Sequence, residues 1–287
     1  MKSLTAVAPP YIDRYRLIVN GKRNAEVKAR LETVDANVAT RYEAFEAAVS
    51  GSSILTLPED PALQAMEDDL RSCYAKGTRN LEAILKAIKS AQPSRLLEKC
   101  PYCGITLPTT HDHYLSASKY PELAVHGLNL VPCCSSCNET KGNRWRDSQH
   151  RWFIHFYSDP LPDEQFLYVT LVPSPAADAI GARFEIRRPP TTLAHDWATV
   201  ENHFTKLKLL ERYSEFVNEE IASALDACVD HVCDGGHNAR NFLIRTADRL
   251  DTVFGRNHWR VVLYQALAES RVFQDMMDSK VERENES

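Results

Sequence analysis

Two pairs of cysteines constrain this chain more than any other feature of its sequence. Cys100 and Cys103 are separated by two residues, and Cys134 and Cys137 repeat that spacing. Four thiolates in two such pairs are the ligand set of a closed, tetrahedral structural zinc site. A bound zinc ion supplies folding free energy to a segment that is too small to bury much core of its own. The sequence therefore predicts a zinc-stabilised module within residues 95–150.

Cys133 precedes Cys134 directly and is an alternative ligand. Its separation from Cys137 is one residue longer than a tight metal-binding turn needs, which favours Cys134. Ordinary buried, reduced cysteines are the competing interpretation of all four. A metal-type arrangement among eight cysteines indicates a reducing compartment rather than a disulfide scaffold, and we therefore expect a cytoplasmic protein.

A second group of polar residues lies in and next to the segment between the cysteine pairs. Asp112 and Asn138 offer oxygen ligands, which suit Mg²⁺ or Mn²⁺ better than zinc. A neutral imidazole at His113 can accept a proton from water near neutral pH. In a strand, His113 would point to the face opposite Asp112. A structural role for His113 and a turn role for Asn129 are the alternatives.

The phrases THDHYL, NLVPCCSSCN and KGN, in this order, resemble the motif of the HNH (ββα-metal) endonuclease family. The resemblance covers about residues 97–146. It implies that Asp112 and Asn138 bind one divalent cation, that His113 is the general base and that Asn129 braces the loop carrying the base. It also implies hydrolysis of DNA phosphodiester bonds, leaving a 3′-hydroxyl and a 5′-phosphate.

Basic residues follow the last of these positions, where a helix is expected. Lys141 and Arg144 would contact DNA phosphates there, although a solvated helix face is the alternative. The whole chain carries a net charge of −5, but residues 76–151 hold eleven Lys and Arg against six Asp and Glu. That stretch therefore carries a net charge of +5 and the remainder of the chain −10. Such a module can bind DNA, though weakly at physiological salt.

Hydrophobic periodicity predicts an α+β protein with mainly helical flanks around the module. Thr110–Tyr114 and Leu128–Pro132 are the predicted strands of the module, and a short β-hairpin is expected after it. Long amphipathic helices are predicted over Val27–Val49 and Val200–Leu225. The expected domains are a helical region 1–94, the nuclease module 95–150, a C-terminal region 151–280 and a disordered tail 281–287.

The leading prediction is a metal-dependent HNH endonuclease acting on DNA. Long helical flanks around a central nuclease are also similar, more weakly, to HNH effector nucleases of bacterial anti-phage systems. That similarity implies a partner ATPase or another defence-system subunit. We expect the two long helices to serve partner docking or a homo-oligomer, with packing into the chain's own core as the alternative.

A stand-alone restriction-type endonuclease and a non-catalytic, zinc-stabilised nucleic-acid-binding module are the other functions that the sequence leaves open. No apolar stretch approaches the length of a membrane span, and the apolar run at the N-terminus is too short for a signal peptide.

Overall fold

Helices dominate the structure, a computed structural model that describes residues 1–174 and 179–285. Within those residues the α-helices are α1 (Tyr11–Asn20), α2 (Ala25–Thr33), α3 (Asp35–Ser50), α4 (Pro61–Gln64), α5 (Glu67–Arg71), α6 (Arg79–Ser90), α7 (Ser135–Lys141), α8 (Ala194–Lys206), α9 (Leu209–Cys233), α10 (Ala239–Phe254), α11 (Trp259–Ala268) and α12 (Arg271–Asn285). The strands are β1 (Thr110–His113), β2 (Leu130–Cys133), β3 (Leu167–Ser174) and β4 (Ala179–Ile186). The predicted α+β class is confirmed.

Two separate antiparallel hairpins supply the β-structure. β1 pairs with β2 in a register that places Thr110 opposite Cys133 and His113 opposite Leu130. α7 follows β2 directly, so the segment runs strand, strand, helix. β3 pairs with β4 over eight residues each, which is the hairpin predicted after the module.

Both long helices predicted in the flanks are interrupted. The Val27–Val49 stripe is divided at Val34, whose φ of −107° and ψ of 6° end α2 before α3 begins. A run of two β-branched residues, Thr33 and Val34, favours that break because both lose χ1 freedom in a helix. The Val200–Leu225 prediction is divided at Lys208, which has a positive φ of 52°.

The apolar stripes of these helices are buried inside the chain itself. Val38 and Phe45 on α3 are 0 % exposed, and Val217 on α9 is 1 % exposed. Side chains buried to this extent expose no apolar surface that a partner could contact. The alternative interpretation, that these helices pack into the chain's own core, therefore accounts for the stripes.

The chain divides into two compact units. The site unit comprises Ser3–Pro160 together with Ala198–Leu207, and the hairpin unit comprises Met1–Lys2 with the described parts of Leu161–Trp197 and Lys208–Ser287. The predicted boundary between residues 94 and 95 falls inside the site unit, which contains both α1 to α6 and the segment that carries the cysteines. The predicted disordered tail is also wrong for residues 281–285, which continue α12, whereas residues 286–287 lie outside the described part.

Candidate metal centre and histidine pocket

The four predicted zinc ligands meet at one point of the site unit. The sulfur atoms of Cys100, Cys103, Cys134 and Cys137 all lie within 4.8 Å of one another, and all four residues are buried. The first pair lies in the turn before β1, where Gly104 adopts a positive φ of 69°. The second pair lies at the start of α7. The arrangement is a buried four-cysteine group that can hold a metal ion.

One sulfur-to-sulfur distance in the group matches the spacing at a zinc ion. A Zn–S distance of about 2.3 Å at a tetrahedral centre separates neighbouring sulfurs by about 3.8 Å, and the Sγ atoms of Cys103 and Cys134 lie 3.8 Å apart. Backbone N–H groups also point at the sulfurs: Cys134 N–H donates to Cys100 Sγ at 3.3 Å, and Ile105 N–H donates to Cys103 Sγ at 3.5 Å. Such bonds stabilise thiolates, which is the form that binds a metal.

Cys133, the alternative ligand, lies elsewhere. Its side chain is paired with Thr110 at 3.4 Å between Sγ and Oγ1. Burial raises the pKa of this thiol to about 12, so it remains protonated at neutral pH. The geometry therefore selects Cys134 for the four-cysteine group.

Asp112 projects from β1 into the interior and is only 2 % exposed. Its Oδ2 accepts a hydrogen bond from the Tyr102 hydroxyl at 2.7 Å, and its Oδ1 accepts one from the Lys141 ammonium at 3.0 Å. Lys141 also donates to the carbonyl oxygen of His113 at 2.9 Å. The carboxylate is therefore part of a buried ion pair, which the sequence did not predict.

The prediction that Lys141 contacts DNA is wrong for this structure. Its side chain is 0 % exposed, and the ammonium sits 5.7 Å from the centre of the Phe153 ring. Lys141 is the last residue of α7 and turns back towards β1, because Asp112 provides the charge that a buried ammonium needs. Arg144, the other predicted DNA contact, is exposed.

His113 is held by the loop between the two strands. Its Nε2 lies 2.9 Å from the carbonyl oxygen of Ala124. Because a carbonyl only accepts, Nε2 carries the proton in the neutral ring and Nδ1 keeps a free lone pair. The edge of the ring also meets Tyr74, at 4.6 Å between ring centres. Burial lowers the pKa of His113 below its usual value, which keeps the ring neutral at pH 7.

Asn129 fixes the conformation of the same loop. Its Oδ1 accepts from Leu115 N–H at 2.7 Å, and its Nδ2 donates to the carbonyl oxygens of Leu115 and Leu123 at 3.0 and 3.1 Å. Leu123 precedes Ala124, the residue that holds His113. The side chain is fully buried, so Asn129 ties both ends of the loop together rather than capping an exposed turn.

Asn138 and His113 lie where two cavities meet. One cavity, of about 570 Å³, is also lined by Asp112, Ser116 and Arg71. The other, of about 770 Å³, extends along α6. Asn138 is partly exposed on α7, and its Nδ2 donates to Thr110 Oγ1 at 3.3 Å. Asp112, His113 and Asn138 thus line one cavity.

Several residues at this site were not predicted. Tyr74 and Arg71 come from the N-terminal helical region, and no local pattern links them to residues some forty positions later. Tyr102 lies between Cys100 and Cys103, and its hydroxyl holds Asp112. His203, from the later part of α8, donates from Nε2 to the carbonyl oxygen of Tyr102 at 2.8 Å. A tyrosine between the two cysteines of a CxxC pair is the sequence signal that could have indicated such support.

No protein-family model matches the chain, and no solved structure matches it. A relative is protein Ea31 of Escherichia phage lambda, 28 % identical over 202 residues, which cover 61 % of this chain and 63 % of the relative. The chain therefore spans less than two thirds of the length of that relative.

One further property concerns the length and hydrophobicity of the helices. Across residues 1–174 and 179–285, none of the helices combines the length and the apolar character needed to cross a bilayer.

Proposed function

We propose that the protein is a metal-dependent endonuclease of the HNH type that hydrolyses DNA phosphodiester bonds. The observation that carries this proposal is the placement of His113. Its Nε2 is fixed on the Ala124 carbonyl, and the ring lines a cavity next to Asn138 and Asp112. This geometry leaves Nδ1 as the basic atom beside two oxygen-bearing side chains, which is what activation of water next to a cation requires.

Asp112 and Asn138 are the residues that would hold Mg²⁺ or Mn²⁺. Each Asp112 oxygen accepts one hydrogen bond and keeps a further lone pair. Lys141 already balances the carboxylate charge, and one carboxylate with one amide oxygen is a small ligand set, so we expect weak binding with several waters retained. A divalent cation there would polarise the phosphate and stabilise the leaving oxygen.

The remaining residues act on His113 and Asp112. Asn129 holds the loop whose Ala124 carbonyl orients the imidazole, so it positions the base without contacting the substrate. Tyr102 and Lys141 hold the Asp112 carboxylate in one orientation. The four-cysteine group would bind structural zinc, which fixes the turn before β1 against the start of α7 and so supports Asp112 and Asn138 from both sides.

The helical flanks are the feature that suggested a role in bacterial anti-phage defence, with an ATPase or another subunit as partner. Their stripes are buried within the chain, so they no longer favour docking. A non-catalytic zinc-stabilised nucleic-acid-binding module is the second candidate. The buried Asp112–Lys141 ion pair supports that candidate, because it gives Asp112 a structural role that needs no catalytic cation.

Cleavage of supercoiled plasmid with added Mg²⁺ or Mn²⁺ tests the proposal. His113→Ala should lower the rate by about 10²–10⁴, the usual cost of losing a positioned general base, with zinc content unchanged. His150→Ala is the matched control, since that histidine is 48 % exposed and lines neither cavity. Equal rates for wild type and His113→Ala would reject the assignment of the base, and no cleavage by wild type with either metal would favour the binding module.

A further inference from the structure

Three lysines line the larger of the two cavities. Lys76 lies in the loop before α6, and Lys86 and Lys89 lie on α6. All three are exposed, and none forms an ion pair or a side-chain hydrogen bond with another residue of the described part of the chain. Three ammonium groups without ion-pair partners, against the one carboxylate of Glu82, leave this cavity with an excess of positive charge that attracts an anion.

Other lysines of the site unit are engaged. Lys22 donates to Ser72 Oγ at 2.6 Å, Lys28 pairs with Glu32 at 3.7 Å, and Lys119 pairs with Glu59 at 3.6 Å. The unpaired state of the cavity lysines is therefore a property of that cavity and not of lysines across the unit.

The same cavity has an apolar lining. Leu85, Leu97, Leu107, Pro108 and Pro132 contribute to it, and Leu107 is 61 % exposed. Among its described lining residues Glu82 is the one carboxylate, and its Oε1 accepts from Gly77 N–H at 3.2 Å. A ligand that suits this cavity is anionic along one edge and apolar along another.

The lysine cavity leads to the histidine. Tyr74, His113 and Asn138 line both cavities, so a ligand lying along α6 ends beside His113. The two cavities together form one groove, which we call the α6 groove.

We propose that the α6 groove binds a single strand of nucleic acid, with Lys76, Lys86 and Lys89 on its phosphates and the leucine and proline side chains against its sugars and unpaired bases. Proteins that bind single strands combine a basic track with surfaces that contact base faces. In a duplex those faces are stacked away, so the apolar lining would have nothing to contact. This inference rests on the proposed function, because it leads the strand to His113.

The test measures binding without cleavage. Variants are made in the His113→Ala background. Their binding to a labelled 20-nucleotide thymidine oligomer is followed by fluorescence anisotropy in EDTA across a salt series. K76A/K86A/K89A should weaken binding about tenfold or more and lower the slope of log K against log salt by about 2, since each phosphate contact on a single strand contributes about 0.7. K76R/K86R/K89R, which keeps the charges, should bind within about threefold of the parent.

K22A/K28A/K119A is the matched control, because it removes the same charge from the site unit at lysines that line neither cavity. It should leave the affinity within about twofold and the salt slope unchanged. Equal losses in the control and the groove variant would overturn the inference, as would a groove variant that binds like the parent. A duplex of the same length that competes better than the single strand would overturn the choice of ligand.

The outcome is separable from that of the proposed function. Loss of binding in the groove variant, in a protein whose wild type cuts no plasmid, would support the groove and reject the nuclease. Cleavage by wild type, together with unchanged oligomer binding in the groove variant, would support the nuclease and reject the groove.

Discussion

Replacing Lys141 by methionine should destabilise the site unit strongly. Methionine keeps most of the length and the apolar stem but removes the ammonium, leaving the buried Asp112 carboxylate with Tyr102 as its remaining partner. At the observed 3.0 Å and an effective permittivity of about 20, the attraction lost is about 5 kcal/mol. Measured costs of removing one partner from a buried pair are about 3–5 kcal/mol, so we expect a loss in that range.

The assay is urea unfolding in constant excess zinc, with hydrogen exchange of peptides from β1 and α7 reporting the site unit. With an m value of about 2 kcal/mol per molar urea, the midpoint should fall by about 1.5–2.5 M. Lys28→Met is the control, because the Lys28–Glu32 pair on α2 is 34 % and 54 % exposed. Such a pair contributes at most about 0.5 kcal/mol.

A double-mutant cycle separates the ion pair from simple loss of packing. Asp112→Asn alone leaves the Lys141 charge buried and should also be costly, whereas Asp112→Asn with Lys141→Met removes both charges. The double variant should recover most of the loss, with a coupling energy of about 3 kcal/mol or more. If Lys141→Met unfolds at the same urea midpoint as Lys28→Met, or if the losses in the two single variants simply add, the buried ion pair does not stabilise the site unit.

Three further predictions concern the metal centre, the loop and acid stability. Zinc should copurify at about one ion per chain by elemental analysis, and Cys137→Ser should lower soluble yield because it removes folding free energy together with a ligand; active protein without zinc would contradict this. Asn129→Ala removes three hydrogen bonds that hold the loop of His113, and it should lower kcat far more than it raises KM in the plasmid assay; an unchanged kcat would exclude the positioning role. Burial lowers the pKa of His155 and of His203 from 6.5 to about 4. Between these pH values unfolded chains bind protons that the folded protein does not, so the free energy of unfolding should decrease as pH falls from about 6.5 to 4. The decrease should be at most about 1.4 kcal/mol per pH unit for each histidine. A flat urea midpoint across that range would contradict the assignment.

Local chemistry made the cysteine group, the two short strands and the α+β class predictable. A CxxC spacing fixes which sulfurs can meet, and short-range patterning indicates the strands. These signals act over a few residues, so the sequence carries them without knowledge of the fold.

Contacts between residues far apart in the chain determine the features that the sequence did not predict. A lysine on a predicted helix is ordinarily solvated, and the position of Asp112 on β1 turns Lys141 inward. The breaks at Val34 and Lys208 interrupt apolar stripes whose periodicity continues through them. Tyr74 reaches His113 through the packing of the N-terminal helices, for which no short motif exists.

The makeup of the site unit has a consequence for how the protein is made. Ala198–Leu207 belong to the same unit as the cysteine group, and the bond from His203 to Tyr102 joins residues 101 positions apart. Leu4 N–H likewise donates to the carbonyl oxygen of Phe156. Chains fold from the N-terminus as they leave the ribosome, at about 5–20 residues per second.

The last supports of the histidine pocket therefore arrive only after residue 207 of the 287 has been synthesised. A nascent chain that has already exposed all four cysteines still lacks the helix segment that packs behind Tyr102. The completed pocket is thus delayed until most of the polypeptide exists, and a fragment ending at residue 160 would carry every predicted site residue without the α8 segment that packs behind Tyr102.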